Sequence, residues 1–458
     1  MKGWIDLNII VVGLGKVGYT VAEQLAQEKH DVTVIDIDED VVNDTVQDID
    51  VFGVIGNGAV GKTLAEAGVA ECDLLIALTG SDELNILSCL LAKKQGAKST
   101  IARVRNPEYN EDLRTIKDSL GLAMAVNPER EAAAEIQRIL KFPTARNVDI
   151  FGKGQVDLLS FVANKSCNLC GKALSESFSK IRTKALVCAV ERGNDIFIPT
   201  GDFVIQENDT VAVLTPTKST PEFFKQIGFR TNNIKNIMII GGGKIAIYLA
   251  KMLSAININT TIIEKERSIA DSLSFMLPDI NIIHGDGTNR SLLLEEGLQE
   301  ADAFCCLTGI DEENIVLSLF AKSVAPQIKT ITKVNHTLFR EVIKTLDIDS
   351  VVYPKFTTAN IILKYVRSKA AHHSDDMQQL TRIINNRIEA IEFRVAPDSR
   401  IVNRQIQDLS LRKNILLGSI TRDGDVIIPR GSDYIKAGDS VVIVTSTERL
   451  SDIDDILA

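Results

Sequence analysis

Apolar and polar positions follow two patterns along the first part of the chain. Short runs of β-branched and other apolar residues, such as residues 9–12, 32–35 and 74–78, predict strands. Segments with apolar residues at helical spacing, such as 17–28 and 85–95, lie between such runs. Over roughly the first 140 residues, this alternation predicts a parallel sheet with helices on both faces.

The whole pattern occurs twice. The glycine-rich stretch 13–18 follows the apolar run 9–12, and the similar stretch 241–246 follows 237–240, at an offset of 228 residues. Asp36 and Glu264, each at the end of the next apolar run, share that offset. Further matches join 56–58 to 285–287, 77–85 to 306–314 and 198–209 to 428–439, at offsets of 229, 229 and 230. Matches in the same order at a nearly constant spacing indicate a tandem duplication.

Each half also contains a smaller unit of different character. Residues 146–226 and 375–458 carry alternating strand patterns with turn signals at 192–195 and 422–425, which predict small α+β domains. The predicted fold class is therefore α/β, with two tandem Rossmann-like, doubly wound parallel-sheet domains, each followed by a small α+β domain. The dipeptide at 142–143 and the polar stretch 368–379 are the best boundaries. The predicted domains are 1–141, 142–228, 229–372 and 373–458.

Composition narrows the functional classes. The chain has 458 residues, and its apolar runs stop far short of the roughly 20 residues that a membrane-spanning helix needs. It begins without a signal-peptide pattern, so we expect contact with a membrane only through a partner. A net charge of −10 argues against nucleic-acid binding. Seven scattered cysteines fit reduced thiols in the cytosol better than a disulfide framework.

The first glycine-rich stretch has the complete context of a dinucleotide-binding loop: strand, glycines, helix, strand and acidic residue. Gly13 permits the tight turn, Gly15 lets the backbone approach a pyrophosphate at the helix N-terminus, and Gly18 lets the helix pack on the strand. Asp36, 23 residues after Gly13, is placed to accept hydrogen bonds from the ribose of an adenosine.

The second copy keeps this arrangement with changes. Gly241 and Gly243 keep the first two glycine positions, Ala246 replaces the third and Glu264 replaces the aspartate. Alanine is compatible with the third position because that position concerns packing. An acidic residue disfavours a 2′-phosphate, so NAD or an adenine nucleotide fits better than NADP. The less favoured alternative is a Rossmann-like loop that binds nothing.

Loops after later strands add candidate contacts. Residues 56–58 and 285–287 follow the third predicted strand of each sheet, and 79–80 and 308–309 follow the fourth, at the edge where ligands of such sheets sit. Asp82, Glu83 and Asn85 are as readily explained as helix-start residues as by a ligand role. Arg103 and Arg105 either offset ligand phosphate charge or are simply solvated; Lys333 and Asn335 replace them in the second copy.

Catalytic and metal-binding signals are weak. Cys167 and Cys170 have redox or zinc spacing, but no second pair completes a four-ligand site, so two ordinary thiols are favoured. The five histidines occupy positions that the two copies do not share, and the phosphate-loop spacing of nucleotide hydrolases is missing. A dehydrogenase needs a positioned acid or base over the nicotinamide. The sequence therefore predicts no enzyme.

Taken together, these motifs resemble the TrkA family, the cytosolic regulatory subunits of Trk potassium-uptake systems, over essentially the full length. The stretch 101–109 is the most specific part, being unlike what dehydrogenases carry there. The resemblance implies an RCK (KTN) N-domain and a TrkA-C domain, each present twice. It implies a dimeric or tetrameric ring, peripheral on the inner face of the cell membrane, under a potassium transporter of TrkH or TrkG type. NAD(H) and ATP or ADP would bind, and their exchange would gate potassium flux.

The resemblance also implies ligand contacts position by position. In the first site these are Gly13, Leu14, Gly15, Lys16, Val17, Gly18, Asp36, Gly56, Asn57, Thr79, Gly80 and Arg103; in the second they are Gly241, Gly242, Gly243, Lys244, Ile245, Glu264, Asp286, Thr308 and Gly309. The alternative function is an NAD-dependent oxidoreductase with an unrecognised active site. A redox-sensing repressor is disfavoured because no basic helix-turn-helix segment is present.

Overall fold

The computed structural model describes residues 6–106, 109, 120–142, 145–229, 234–336, 340–343, 346, 348–370, 377–384, 387–446, 450 and 452–458. The chain divides into two compact units. One contains residues 6–137 and 234–363, and the other contains 138–233 and 364–458. The predicted boundary at 372–373 and His372 and His373 lie outside the described residues, as does Pro143, so the predicted domain bounds stay predictions.

The first Rossmann domain is a six-stranded parallel sheet in the order β3-β2-β1-β4-β5-β6. Its strands are β1 Asn8–Val12, β2 Asp31–Asp36, β3 Phe52–Ile55, β4 Leu74–Ala77, β5 Thr100–Arg103 and β6 Leu122–Val126. Its described helices are α1 Lys16–Gln27, α2 Glu39–Asp48, α3 Gly61–Glu66, α4 Asp82–Gln95 and α5 Pro128–Lys141, the last of which ends in the other unit. Strand order reverses between β1 and β4, so the crevice at their carboxyl ends is the place where such sheets bind ligands.

The first small domain has an antiparallel sheet in the order β10-β9-β11-β8-β7. Its elements are β7 Asn147–Phe151, β8 Val156–Val162, α6 Leu174–Lys180, β9 Leu186–Arg192, β10 Asp195–Phe197, β11 Thr210–Pro216 and α7 Thr220–Gln226. Phe161, Phe223 and Phe224 are fully buried in its core.

The second Rossmann domain repeats the first, with the order β14-β13-β12-β15-β16-β17. The strands are β12 Asn236–Ile240, β13 Asn259–Glu264, β14 Asn281–His284, β15 Ala303–Cys306, β16 Lys329–Lys333 and β17 Ser350–Val352. The described helices are α8 Lys244–Ser254, α9 Arg267–Met276, α10 Arg290–Glu295, α11 Asp311–Val324, α12 Arg340–Ile343 and α13 Pro354–Ala370.

The second small domain likewise has an antiparallel sheet, in the order β18-β19-β22-β20-β21. These strands are β18 Met377–Ile383, β19 Ile388–Arg394, β20 Ile415–Arg422, β21 Asp425–Ile427 and β22 Ser440–Thr445. One apolar cluster includes residues of both small domains, among them Phe151, Leu214, Ile388 and Val442, so the two sheets pack on each other. The predicted fold class and the internal repeat are confirmed.

Local chemistry explains the element boundaries. All four residues of β4 are buried, as expected of a central parallel strand covered on both faces. Helix α4 begins at Asp82, three residues earlier than the predicted segment, because the Ser81 side chain accepts the Leu84 N–H as an N-cap. Gly96 ends this helix with a left-handed backbone at φ 118°. Among the described residues, none of the helices combines the length with the apolar character of a transmembrane span.

Candidate functional site

The first glycine loop lies at the carboxyl end of β1. Gly13 has φ +92°, and a Cβ there would lie 2.8 Å from the Thr79 nitrogen, so the turn requires glycine. A Cβ on Gly18 would lie 1.8 Å from the Gly13 oxygen, which agrees with the predicted packing role. No atom lies within 4 Å of the Cβ position of Gly15, which leaves space for a phosphate to approach the backbone.

The two acidic residues both bind their own glycine loop. Asp36 accepts the Leu14 N–H at 2.6 Å and the Asp38 N–H at 3.1 Å. Glu264 accepts the Gly242 N–H at 2.6 Å and the Glu266 N–H at 2.8 Å. Asp36 is half-buried, whereas Glu264 is 9% exposed. Each carboxylate lies at the end of the second strand of its sheet and fixes the glycine loop that follows the first strand. The ribose of an adenosine was predicted to bind at this carboxylate.

Asn85 ties the loop after β4 to β5. Its Oδ1 accepts the Thr79 N–H at 2.8 Å and the Thr79 hydroxyl at 2.7 Å. Its Nδ2 donates to the Thr79 oxygen at 3.3 Å and to the Arg103 oxygen at 2.9 Å. Asn85 is fully buried, so its role in this structure is to position the loop. Gly80 next to it is exposed, with open space at its Cβ position.

The second half repeats this arrangement at Asn314. The asparagine accepts the N–H and hydroxyl of Thr308 and donates to the oxygens of Thr308 and Lys333. Gly309, next to Thr308, is exposed like Gly80. From the sequence, Asn85 fits a helix start and a ligand contact equally well, and Asn314 is its partner at the offset of 229 residues that marks the repeat.

We expect Asn85→Ala to open the loop after β4. The Thr79 N–H and the Arg103 carbonyl would lose a buried partner, at a cost of about 2 kcal/mol. This cost corresponds to roughly 30-fold faster amide hydrogen exchange around Thr79. Hydrogen–deuterium exchange measures it, and Asn314→Ala is the matched control that should affect only the second loop. Unchanged exchange around Thr79 would contradict the positioning role.

The loops after the third strands differ in charge. Asn57 accepts the Ala59 N–H at 2.8 Å, whereas Asp286 accepts the Thr288 N–H at 2.9 Å and pairs with Lys265 at 2.8 Å. Hydrogen bonds from Lys265 and then from Thr288 lower the pKa of Asp286 to about 2. Gly56, the residue after β3, donates its N–H to the Asp36 oxygen at 2.8 Å. The second site therefore carries an ion pair at a place where the first is neutral.

The two Rossmann domains enclose one cavity of about 460 Å³ between their glycine loops. Residues predicted for both sites line it: Lys16, Val17 and Arg103 from the first domain, and Gly243, Lys244 and Ile245 from the second. Lys333, Glu129 and Lys355 line it as well. The sequence had suggested two separate crevices and gave no sign that they open onto a shared space.

Hydrogen bonds hold these two domains together beside the cavity. Asn127 Nδ2 lies 2.9 Å from the Tyr248 hydroxyl, which donates to the Arg105 oxygen at 3.2 Å. Gln137 Nε2 donates to the Met252 oxygen at 3.1 Å. These contacts join α5 and the end of β5 of the first domain to α8 of the second, so each glycine loop faces residues of the other half.

The basic residues of the cavity are partly desolvated. Burial lowers the pKa of Arg103, and the neighbouring Arg105 adds to the decrease, while Glu129 and Asp82 oppose it. Burial likewise lowers the pKa of Lys333. Arg103 donates to the Leu78 oxygen at 3.4 Å, and Lys333 donates to the Leu307 oxygen at 3.1 Å. These two side chains thus occupy equivalent places and present positive charge to the cavity, which suits an anionic ligand.

Other candidates have structural roles. Asp82 is buried and accepts the N–H groups of Arg105 and Asn106, each at 2.8 Å. Cys167 is buried and Cys170 partly buried, and burial raises the pKa of both thiols, so neither is an activated nucleophile. No group of histidine, cysteine or acidic side chains among the described residues is arranged to hold a metal ion.

Comparison with known families matches both halves of the chain. The model described as the TrkA-N domain matches residues 9–128 and 237–354. The model described as the TrkA-C domain matches residues 158–228 and 390–458. Each match falls on the corresponding Rossmann or small domain, in the order that the repeat predicts.

Curated relatives cover nearly the whole chain. The Trk system potassium uptake protein TrkA homolog 1 of Methanosarcina mazei is 32% identical over 98% of this chain and 99% of its own length. The Trk system potassium uptake protein TrkA of Halomonas elongata is 30% identical over 98% of this chain and 98% of its own length.

Among solved structures, the GsuK channel has a TM-score of 0.66 at 20% identity, covering 97% of this chain and 77% of that one. A structure described as the GsuK channel bound to NAD has a TM-score of 0.64 at 19% identity and the same coverage. These likenesses support the fold.

Proposed function

The chain belongs to the TrkA family of Trk system potassium uptake proteins, and we propose that it is the nucleotide-sensing regulatory subunit of a potassium transporter. The observation that carries this proposal is the cavity shared by the two glycine loops, because a ligand there contacts both Rossmann domains at once. NAD(H) and ATP or ADP are the proposed ligands.

The chemistry of the cavity favours sensing over catalysis. Its charged lining consists of Lys16, Arg103, Lys244, Lys333 and Lys355 with one carboxylate, Glu129. Such a set binds phosphates, but among the described lining residues none is a histidine or tyrosine placed to exchange a proton with a substrate. The alternative, an NAD-dependent oxidoreductase, requires such a group over the nicotinamide.

A nucleotide regulates in this arrangement only if it binds one spacing of the two domains better than another. Phosphates between the cationic walls would draw the walls together, whereas their departure would leave the like charges to repel. Ligands with different phosphate charge therefore stabilise different spacings. We propose that this change of spacing is the signal that is passed to the transporter.

The proposed partner is the membrane subunit of a potassium transporter of TrkH or TrkG type. The protein would act in the cytoplasm, peripheral on the inner face of the cell membrane through that subunit, as a homo-oligomer of dimeric or tetrameric ring form. Curated relatives named as Trk system potassium uptake proteins over nearly their full length support the transport role.

We expect Asp36→Ala and Glu264→Ala each to weaken nucleotide binding about tenfold at its own site, because each removes a ribose acceptor worth about 1.4 kcal/mol. Separate calorimetric titrations of NAD, NADH, ATP and ADP against each variant measure the effect. Each variant serves as the control for the other. If both bind every nucleotide as the parent does, the site assignment is wrong.

The potassium link is tested by transport. In vesicles that contain the partner transporter, potassium flux should change when nucleotide is added with the parent protein, and less so with the double variant. If potassium flux is the same with and without the protein, and with and without nucleotide, the regulatory role is overturned. Steady NADH oxidation with a small substrate would favour the oxidoreductase.

A further inference from the structure

The shared cavity is not symmetric in charge. At equivalent positions, Lys16 matches Lys244 and Arg103 matches Lys333, so these pairs keep their sign. The residue after the proline that begins α5 is Glu129, but the residue after the proline that begins α13 is Lys355. Among these cavity positions, the sign of the charge reverses only here.

The basic residues of the second half gather around the first glycine loop. His336 Nε2 lies 3.5 Å from Lys16 Nζ. Burial lowers the pKa of both Lys333 and Lys355; Asp311 opposes the decrease in each and Glu23 opposes it for Lys355, while the Lys16 ammonium adds to it in both. Lys355 also lines a second cleft, of about 360 Å³, together with Leu14 and Lys16 at the start of α1.

Among the residues that the structure describes, no carboxylate lies at ion-pair distance from these ammonium groups. Within the described part of the chain, Lys16, Lys333 and Lys355 take part in none of the salt bridges. Lys16 is exposed and Lys333 and Lys355 are partly buried. Asp311 and Glu23 act on them only from beyond ion-pair distance, so the group favours an added anion between its cations.

The wall that the first half contributes to the shared cavity is closer to neutral. It carries Arg103 and Glu129, whose charges have opposite sign; Arg105 adds to the lowering of the Arg103 pKa and the Glu129 carboxylate opposes it. The Glu129 Oε2 atom is buried without a hydrogen-bond partner. Additional phosphate charge at this place would meet a carboxylate in a poorly solvated position, which is unfavourable.

We propose that Lys355 and Glu129 set the ligand preference of the two nucleotide sites across the domain boundary. Lys355 completes the first site, which selects the nucleotide with more phosphate charge, a nucleoside triphosphate. Glu129 faces the second site and disfavours a triphosphate there. The second site therefore prefers a dinucleotide, whose pyrophosphate carries about half the negative charge of a triphosphate. This inference rests on the proposed nucleotide-binding function and adds to it an unequal assignment of ligands.

The test isolates each site in the full-length chain. Glu264→Ala weakens the second site so that titration reports on the first, and Asp36→Ala does the reverse. In the first background, Lys355→Glu should lower ATP affinity about 30-fold and NAD affinity about threefold or less. In the second, Glu129→Lys should raise ATP affinity about tenfold. Lys94→Glu, which changes an exposed lysine of α4 outside the cavity, is the control for net charge.

The outcomes distinguish failure of the proposed ligand preference from failure of the proposed nucleotide-sensing function. If Lys355→Glu and the milder Lys355→Gln leave the ratio of ATP to NAD affinity unchanged while the parent binds both, the assignment fails and the sensing function stands. If the parent binds neither nucleotide, both fail. The combined charge swap, Lys355→Glu with Glu129→Lys, should move the ATP preference to the second site. A swap that instead keeps ATP at the first site overturns the inference.

Discussion

Gly15→Ala is expected to leave the first Rossmann domain folded and to weaken nucleotide binding there about 100-fold. Gly15 has φ −61°, an ordinary value for alanine, and no protein atom lies within 4 Å of its Cβ position. The added methyl therefore occupies space that a pyrophosphate needs, and such overpacking costs up to about 3 kcal/mol. Calorimetric titration with NAD and ATP in the Glu264→Ala background measures the loss.

Two further variants make this result specific. Gly243→Ala, at the matched position of α8 with equally open space, should impair the second site and leave the first intact. Gly13→Ala should lower the thermal unfolding temperature as well, because its Cβ would meet the Thr79 backbone at 2.8 Å. If Gly15→Ala binds nucleotide with the parental affinity, the ligand does not approach this loop and the site lies elsewhere.

The sequence predicted the architecture well because the repeat and the hydrophobic periods are local signals. The apolar run 9–12 became the core of β1, and the acidic residue at position 36 became the last residue of β2. Matching motifs lie at nearly constant offsets close to 228 residues, so the motifs of the first half also identify their weaker partners in the second.

Contacts between the halves could not be predicted in the same way. Tyr248 is a helix residue without a motif, yet its hydroxyl contacts Asn127 and the Arg105 backbone of the other domain. Lys355 lies far along the chain from the first glycine loop and only the packing of two domains brings it there. Such pairings depend on tertiary geometry, which neither the period of a strand nor the spacing of glycines encodes.

Duplication within one chain explains why the two sites can differ. In an assembly of identical subunits, a change such as Glu129 to lysine would appear on both sides of the cavity. Here the halves vary independently, so one side carries Glu129 and the other Lys355. The same holds for the ion pair of Asp286, which replaces the neutral Asn57. The two sides of the shared cavity therefore differ in charge, which an assembly of identical halves would not allow.

Asp209→Ala is expected to lower the free energy of unfolding of the first small domain by about 3 kcal/mol. Asp209 is 1% exposed and accepts the Arg192 Nε at 2.9 Å, its terminal nitrogen at 2.7 Å and the Gln206 N–H at 2.8 Å. Removing one partner of a buried ion pair costs roughly 3–5 kcal/mol, and the partial exposure of Arg192 places this case at the lower end. Amide hydrogen exchange in β9 and β11 should accelerate about 100-fold.

Asp439 offers a matched control, because it accepts the same two bonds from Arg422, at 2.8 and 2.7 Å, in the second small domain. Asp439→Ala should accelerate exchange in β20 and β22 and leave the first small domain unchanged. Neither variant removes a residue that lines the shared cavity, so nucleotide affinity should stay at the parental value in both. An exchange increase below about fivefold, or one that spreads to both small domains alike, would contradict an ion pair that stabilises each domain separately.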